Sequence, residues 1–245
     1  MKTKQLFLIV VALFTLSIAS ACGVGRTVRG SGDIITEERD VSGFDRVSLS
    51  GIGDVTIEVG DEESLTVITD DNIMPYVRTE VKNNTLILDF DDGTFNRGYD
   101  PTDGIKFELV VTDLNRVDIS GAGKMYVGEL ETEKFVVNNT GAASIEIDSL
   151  KADELVVKQT GAGSIVASGQ VQGQELNNTG AGSYQAGELE SETAIISISG
   201  VGSATVWATE SLDISISGLG NVVYYGSPRI TQSISGLGNL VGAEK

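Results

Sequence analysis

The chain has 245 residues and carries 35 Asp and Glu against 17 Lys and Arg, a net charge of −18. Such a surface repels nucleic acid and anionic lipid headgroups, so neither is a direct partner. The absence of His and the presence of a single Cys exclude a Cys/His zinc site, a Ser-His-Asp triad and a Cys-His nucleophile within this chain.

Lys2 and Lys4 precede an apolar run from Leu6 to Leu16 that closes on Ala19-Ser20-Ala21-Cys22. Residues 1–21 therefore read as a signal peptide. Cys22 resembles the acylated cysteine of a bacterial lipobox, with Ala19 where Leu is commoner, and lipidation accounts for an unpaired cysteine in an exported chain. The expectation is a protein held at the cell surface or in the periplasm through a lipid on Cys22. A soluble secreted form, cleaved after Ala21, is the alternative. Residues 22–33 form the lipidated Cys and a small, polar tether with Arg26 and Arg29.

Residues 34–119 hold the first copy of a short pattern, Ser50-Gly51-Ile52-Gly53, followed by an insertion from Ser64 to Thr112. The insertion is strand-like at Leu65-Thr66-Val67-Ile68, from Val77 to Phe90 with a bend at Asn83-Asn84, and from Lys106 to Val111. It reads as first rungs and an N-terminal β cap, since a solenoid end must cover its open core. The acids Asp89, Asp91, Asp92, Asp100 and Asp103 lack the ordered spacing of a calcium loop and read as a solvated hairpin.

Residues 120–245 repeat the pattern from Ser120, Thr140, Thr160, Thr179, Ser199, Ser217 and Ser235, in steps of 20, 20, 19, 20, 18 and 18 residues. A unit that small cannot bury its own apolar face and must stack on its neighbours. Before each corner come Val117, Val137, Val157, Leu176, Ile196, Ile214 and Gln232; after it come pairs such as Ile145/Ile147 and Tyr184/Ala186. Two-residue alternation marks strands with one buried face. Leu130, Leu150, Val171 and Leu189 supply a third side. The expected fold is all-β, a parallel β-helix of three short strands and about 20 residues per coil, rising ~4.8 Å per coil.

The ordered motifs carry a resemblance. Phe44-Asp45-Arg46-Val47 to Asp54-Val55, Asp71-Asn72-Ile73-Met74-Pro75-Tyr76-Val77, Thr85-Leu86-Ile87-Leu88 and the serial copies ending in Ser235-Gly236-Leu237-Gly238-Asn239 resemble the head GIN domain family over about Thr36 to Val241. The resemblance implies a right-handed β-helix, an adhesin-like role and no catalytic residues to transfer.

Three sets of side chains are candidates for a role. Asn139, Gln159 and Asn178 replace aliphatic residues at one inward position on consecutive coils and read as a structural ladder of mutually bonded amides. Thr140, Thr160 and Thr179, with Asn138, Lys158, Asn177 and the later serines, form an outward lattice. It suits a glycan or another repeated surface, but a solubilising face or a contact between copies in a homo-oligomer is the favoured reading, since the exposed face of a sheet is ordinarily polar. Trp207 and Tyr225 share an outward position on adjacent coils, as a sugar platform, a terminal cap or a subunit contact. Acids such as Glu131, Glu133, Asp153, Glu190 and Glu192 read as a solvated edge. The function expected is a non-enzymatic binding or structural module of the cell envelope, without cofactor or metal; the alternative is a carbohydrate-active β-helix, a polysaccharide lyase or hydrolase.

Overall fold

Alternation at every second residue turns an aliphatic-rich segment into a strand with one buried face, and Val47, Val117, Val137, Val157, Leu176, Ile196 and Ile214 are all buried. The computed structural model describes residues 27–90 and 98–245. The signal peptide, Cys22, Asp91 and Asp92 lie outside them. The strands before the regular coils are β1 (Val28–Arg29), β2 (Ile34–Arg39), β3 (Arg46–Leu49), β4 (Asp54–Val59), β5 (Ser64–Asp70), β6 (Val77–Lys82), β7 (Thr85–Phe90), β8 (Tyr99–Asp100), β9 (Lys106–Val111) and β10 (Arg116–Ile119). The coils follow as β11 (Ala122–Asn139), β12 (Ala142–Gln159), β13 (Ala162–Asn178), β14 (Ala181–Ile198), β15 (Val201–Ile216), β16 (Leu219–Tyr225), β17 (Arg229–Ile234) and β18 (Leu237–Gly242). They stack in parallel as a β-solenoid of about six turns with roughly 20 residues each.

The three short strands expected per coil are joined. β11 to β15 each run 16 to 18 residues without a break, because coils of nearly equal length place most residues on their counterparts below and the ladder continues round the bend. Only the Ser/Thr-Gly corner interrupts them. There the amides of Thr140 and Gly141 both donate to Ile119 O, at 2.8 and 3.1 Å, and each later corner repeats the arrangement.

Where coil length changes, register slips. The 19-residue coil loses one residue between Ile147 and Leu150 of its neighbour, the next regains one opposite Val166–Ser168, and the first 18-residue coil slips twice, after Ala186 and after Ser191. One consequence corrects the third side. Leu150 pairs with Gly169 and Gly169 with Leu189, whereas Val171 falls in a different row with Thr132, Ala152 and Ser191. Val171 is the apolar residue nearest the row of Leu150 and Leu189, but the residue missing before it leaves Gly169, which has no side chain to mark the row, beside them.

At the N-terminal end the stack closes by reversing direction. β7 pairs parallel with β3 and β9 with β4, then β6 and β5 add antiparallel strands outside them, and β2 follows antiparallel on β5. Asn83 and Asn84, at φ 50° and 61°, make the tight turn between β6 and β7, a conformation Asn tolerates. Buried Asp70 ties this end together, accepting from Gly32 N at 2.8 Å, Thr102 N at 2.8 Å and Thr102 Oγ1 at 2.7 Å. Burial opposes its charge, but those bonds outweigh it and hold the carboxyl below its ordinary value. At the other end Ile230 and Ile234 of the last coil are each 38% exposed, and Gln232 between them is exposed too.

Asn139, Gln159 and Asn178 are buried and stacked in register. Their amides bond to the corners and not, as expected, to one another. Asn139 Nδ2 donates to Ala162 O at 3.3 Å, Gln159 Nε2 to Gly163 O at 3.0 Å and Asn178 Nδ2 to Gly182 O at 3.2 Å. Asn139 Oδ1 and Asn178 Oδ1 accept from the amides of Gly141 and Gly180, each at 3.1 Å. Gly141, Gly163, Gly180 and Gly182 belong to the amides' own corners and Ala162 O to the corner one coil on, so corner backbone satisfies the amides in place of the stacked side chains. Gln159 is one methylene too long for that second bond, and its Oε1 has no partner among the described residues. Gln159→Ala is expected to lower stability by about 1 to 3 kcal/mol, through a cavity and one lost bond. Gln159→Met, which keeps the volume and removes the orphan oxygen, should cost less; urea midpoints of the two variants check the order.

Candidate functional site

The outward face beside the corners is set by parity, since each inward residue fixes the direction of its neighbours. Asp118, Asn138, Lys158, Asn177, Ser197 and Ser215 stand in one register row. Thr140, Thr160 and Thr179 stand beside that row and are exposed. Coil spacing of ~4.8 Å makes this a lattice of hydroxyls, amides and one ammonium. At its N-terminal end Arg116 grips Asp118 with Nε at 2.6 Å and a second nitrogen at 2.7 Å, and Asn138 Nδ2 donates at 3.0 Å. Burial raises the Asp118 pKa, but the guanidinium and the amide more than reverse that and keep the carboxyl ionised below its ordinary range.

The third side carries a groove of about 500 Å³. Its floor is the row Thr132, Ala152, Val171 and Ser191, and its walls are the neighbouring outward rows, Glu131, Lys151, Gln170 and Glu190 on one side and Glu133, Asp153, Gln172 and Glu192 on the other. The acids read from sequence as a solvated edge thus line a concave surface, because inward and outward rows alternate across a bend. Several are already paired: Lys151 Nζ donates to Glu131 at 2.7 Å and Gln172 Nε2 to Asp153 at 2.5 Å. Among the described residues no group of three or more His, Cys, Asp or Glu is placed to hold a metal ion.

Trp207 and Tyr225 are register partners, both half-buried, at the C-terminal end of the first of those walls, where Trp207 pairs with Glu190. The slip after Ala186 puts them there, since β15 omits a corner that β14 makes with Gly187, Glu188 and Leu189. That slip also turns the Trp207 carbonyl toward a buried polar cluster. Ser191 Oγ donates to it at 2.7 Å and Gln174 Nε2 at 3.3 Å; Gln174 Nε2 also reaches Ser191 Oγ at 2.9 Å, and Tyr184 OH donates to Gln174 Oε1 at 3.0 Å. Burial pushes the Tyr184 phenol far above its ordinary pKa, so it stays protonated as a donor. Sequence reasoning missed this cluster. Its signal was Gln174, a polar residue at an inward position whose row otherwise holds Phe135, Leu155, Ala194 and Leu212.

Residues 43–228 match the family model described as "Putative auto-transporter adhesin, head GIN domain". The chain belongs to the head GIN domain family. Among solved structures, this head GIN domain is similar to a putative adhesin from Bacteroides fragilis, with 28% identity and a TM-score of 0.83 over 88% of this chain and 100% of the other. A putative lipid binding protein from Parabacteroides distasonis shares 23% identity at a TM-score of 0.72, over 89% and 100% of the two chains. A putative adhesin from Parabacteroides merdae shares 22% at 0.69 over the same fractions. The last two establish the fold alone. No curated protein matches the head GIN domain described here. No helix among the described residues is long and apolar enough to cross a membrane.

Proposed function

We propose that this head GIN domain protein is a non-enzymatic lipoprotein of the cell envelope whose outward Thr/Asn/Ser lattice binds a repetitive ligand, a glycan or a cell-surface polymer. The observation that carries the reading is the lattice itself: hydroxyls and amides repeated in register, exposed, and mounted on a continuous sheet that cannot rearrange without breaking its ladder. A rigid, periodic donor and acceptor array favours a partner with its own repeat, because each added contact costs little further ordering. The family description and the adhesin from B. fragilis support the same reading. The anchor belongs to the proposal through Cys22. Cys22→Ser is expected to abolish labelling by a palmitate analogue and to move the protein from the membrane to the soluble fraction; a variant that still labels contradicts the anchor.

The acid-lined groove is the feature a carbohydrate-active enzyme would use, and it gives the second reading its only foothold. Incubation with envelope polysaccharides separates the two. Retention without release of reducing ends or unsaturated products supports a binding module, and steady product release that stops in Glu131→Gln/Glu190→Gln supports the enzyme.

A further inference from the structure

The coil shortening that places Trp207 also builds an enclosure around a cation. Gly187, Glu188 and Leu189 have no counterparts in β15, so they stand beside Trp207 and Tyr225 as a wall, and glycine at 187 leaves room for the Tyr225 ring. A Cβ there would lie 2.9 Å from Tyr225 Cε2. Into this angle comes Lys245. Its Nζ is 3.7 Å from the Trp207 ring centroid and 5.9 Å from that of Tyr225. It donates to Gly187 O at 2.8 Å and lies 3.0 Å from Glu188 Oε2. Two aromatic faces, a carboxylate and a carbonyl around one ammonium are the acceptors that suit an alkylammonium and repel an anion. The platform is held in advance, because Ser191 and Gln174 bind the Trp207 carbonyl from below. The row Glu131, Lys151, Gln170, Glu190 leads in register to Trp207, so one wall of the acid-lined groove ends at this corner.

We infer that the Trp207–Tyr225–Glu188 corner is a lysine-ammonium site, occupied in cis by Lys245, and that its exchangeable ligand is a lysine side chain of a basic protein segment lying in the acid groove. Lys245 is then a tethered competitor, and a tether supplies an effective concentration of order mM. An incoming lysine meets a site that is mostly filled, and its apparent affinity falls by the fraction left open, about tenfold for a site nine-tenths occupied. The inference is independent of the lattice, so either can fail alone.

Trp207 is the only tryptophan, so its fluorescence reports on this corner directly. Hexalysine is titrated at 0.15 M salt into wild type, Lys245→Ala, Lys245→Ala/Glu188→Gln and Lys82→Ala. Lys82→Ala removes the same charge from β6 at the opposite end and controls for net charge. Lys245→Ala should bind about tenfold tighter than wild type with a change in Trp207 emission. Adding Glu188→Gln should cancel the gain, and Lys82→Ala should match wild type. Equal affinity of wild type and Lys245→Ala, or an equal response to hexa-acetyllysine, overturns the inference.

Discussion

Gly161→Ala is expected to destabilise the solenoid by about 3 kcal/mol or more, among the larger effects a single methyl can have. The added Cβ would lie 2.0 Å from Gly141 O and 2.7 Å from Thr140 C, both backbone atoms of the coil below. No side-chain rotation relieves such a contact. The corner must lift by more than an ångström, which breaks the bonds from Thr160 N and Gly161 N to Asn139 O, now 2.9 and 3.1 Å. A change at neighbouring Ala162, which is exposed, should stay within about 0.5 kcal/mol. Urea denaturation of Gly161→Ala and Ala162→Ser checks the contrast. The same approach recurs at Gly141, Gly180, Gly200, Gly218 and Gly236, so the glycine is required by the stacking of one corner on the next.

The second large effect is expected at Gln174. Gln174→Ala leaves a cavity and a buried Tyr184 hydroxyl with no acceptor, a loss of about 3 to 5 kcal/mol. Tyr184→Phe alone should cost about 1 to 3 kcal/mol, because it leaves Gln174 Oε1 unpaired. Gln174→Leu alone keeps most of the volume and strands the hydroxyl. Combining Tyr184→Phe with Gln174→Leu removes both partners of one bond, so the double variant should be more stable than the sum of the singles predicts. Additive losses in the cycle would mean that the two side chains do not share the bond.

Much of the fold was legible because a solenoid writes its architecture as a period. Val137, Val157 and Leu176 announce buried strands by parity, and Thr140, Thr160 and Thr179 announce corners by spacing. The lattice follows from the same parity. What was not legible lies where the period changes. Val171 was placed in the wrong row because it is the nearest apolar residue, whereas the shortened coil puts Gly169 there, and only pairing decides that. The polar cluster under Trp207 escaped for a related reason: a carbonyl turned inward by a register slip leaves no mark in the sequence, although Gln174 at an inward position hinted at it. The amides of Asn139, Gln159 and Asn178 are buried in register as expected but take other partners, since bonding to corner backbone of the same or the next coil depends on backbone geometry. Lys245 has no pattern around it, and its position over Trp207 is purely tertiary.

The central functional claim is that the lattice, and not the acid groove, retains the repetitive glycan or polymer. Glycan-array and whole-envelope binding of three proteins tests it most directly: wild type, Thr140→Lys/Thr160→Lys/Thr179→Lys, and Glu131→Gln/Glu190→Gln. All five positions point outward, so circular dichroism and urea midpoints should stay at wild-type values. The account predicts that the threonine variant loses retention at least tenfold and the groove variant keeps it. Retention kept by the threonine variant and lost by the groove variant would contradict it.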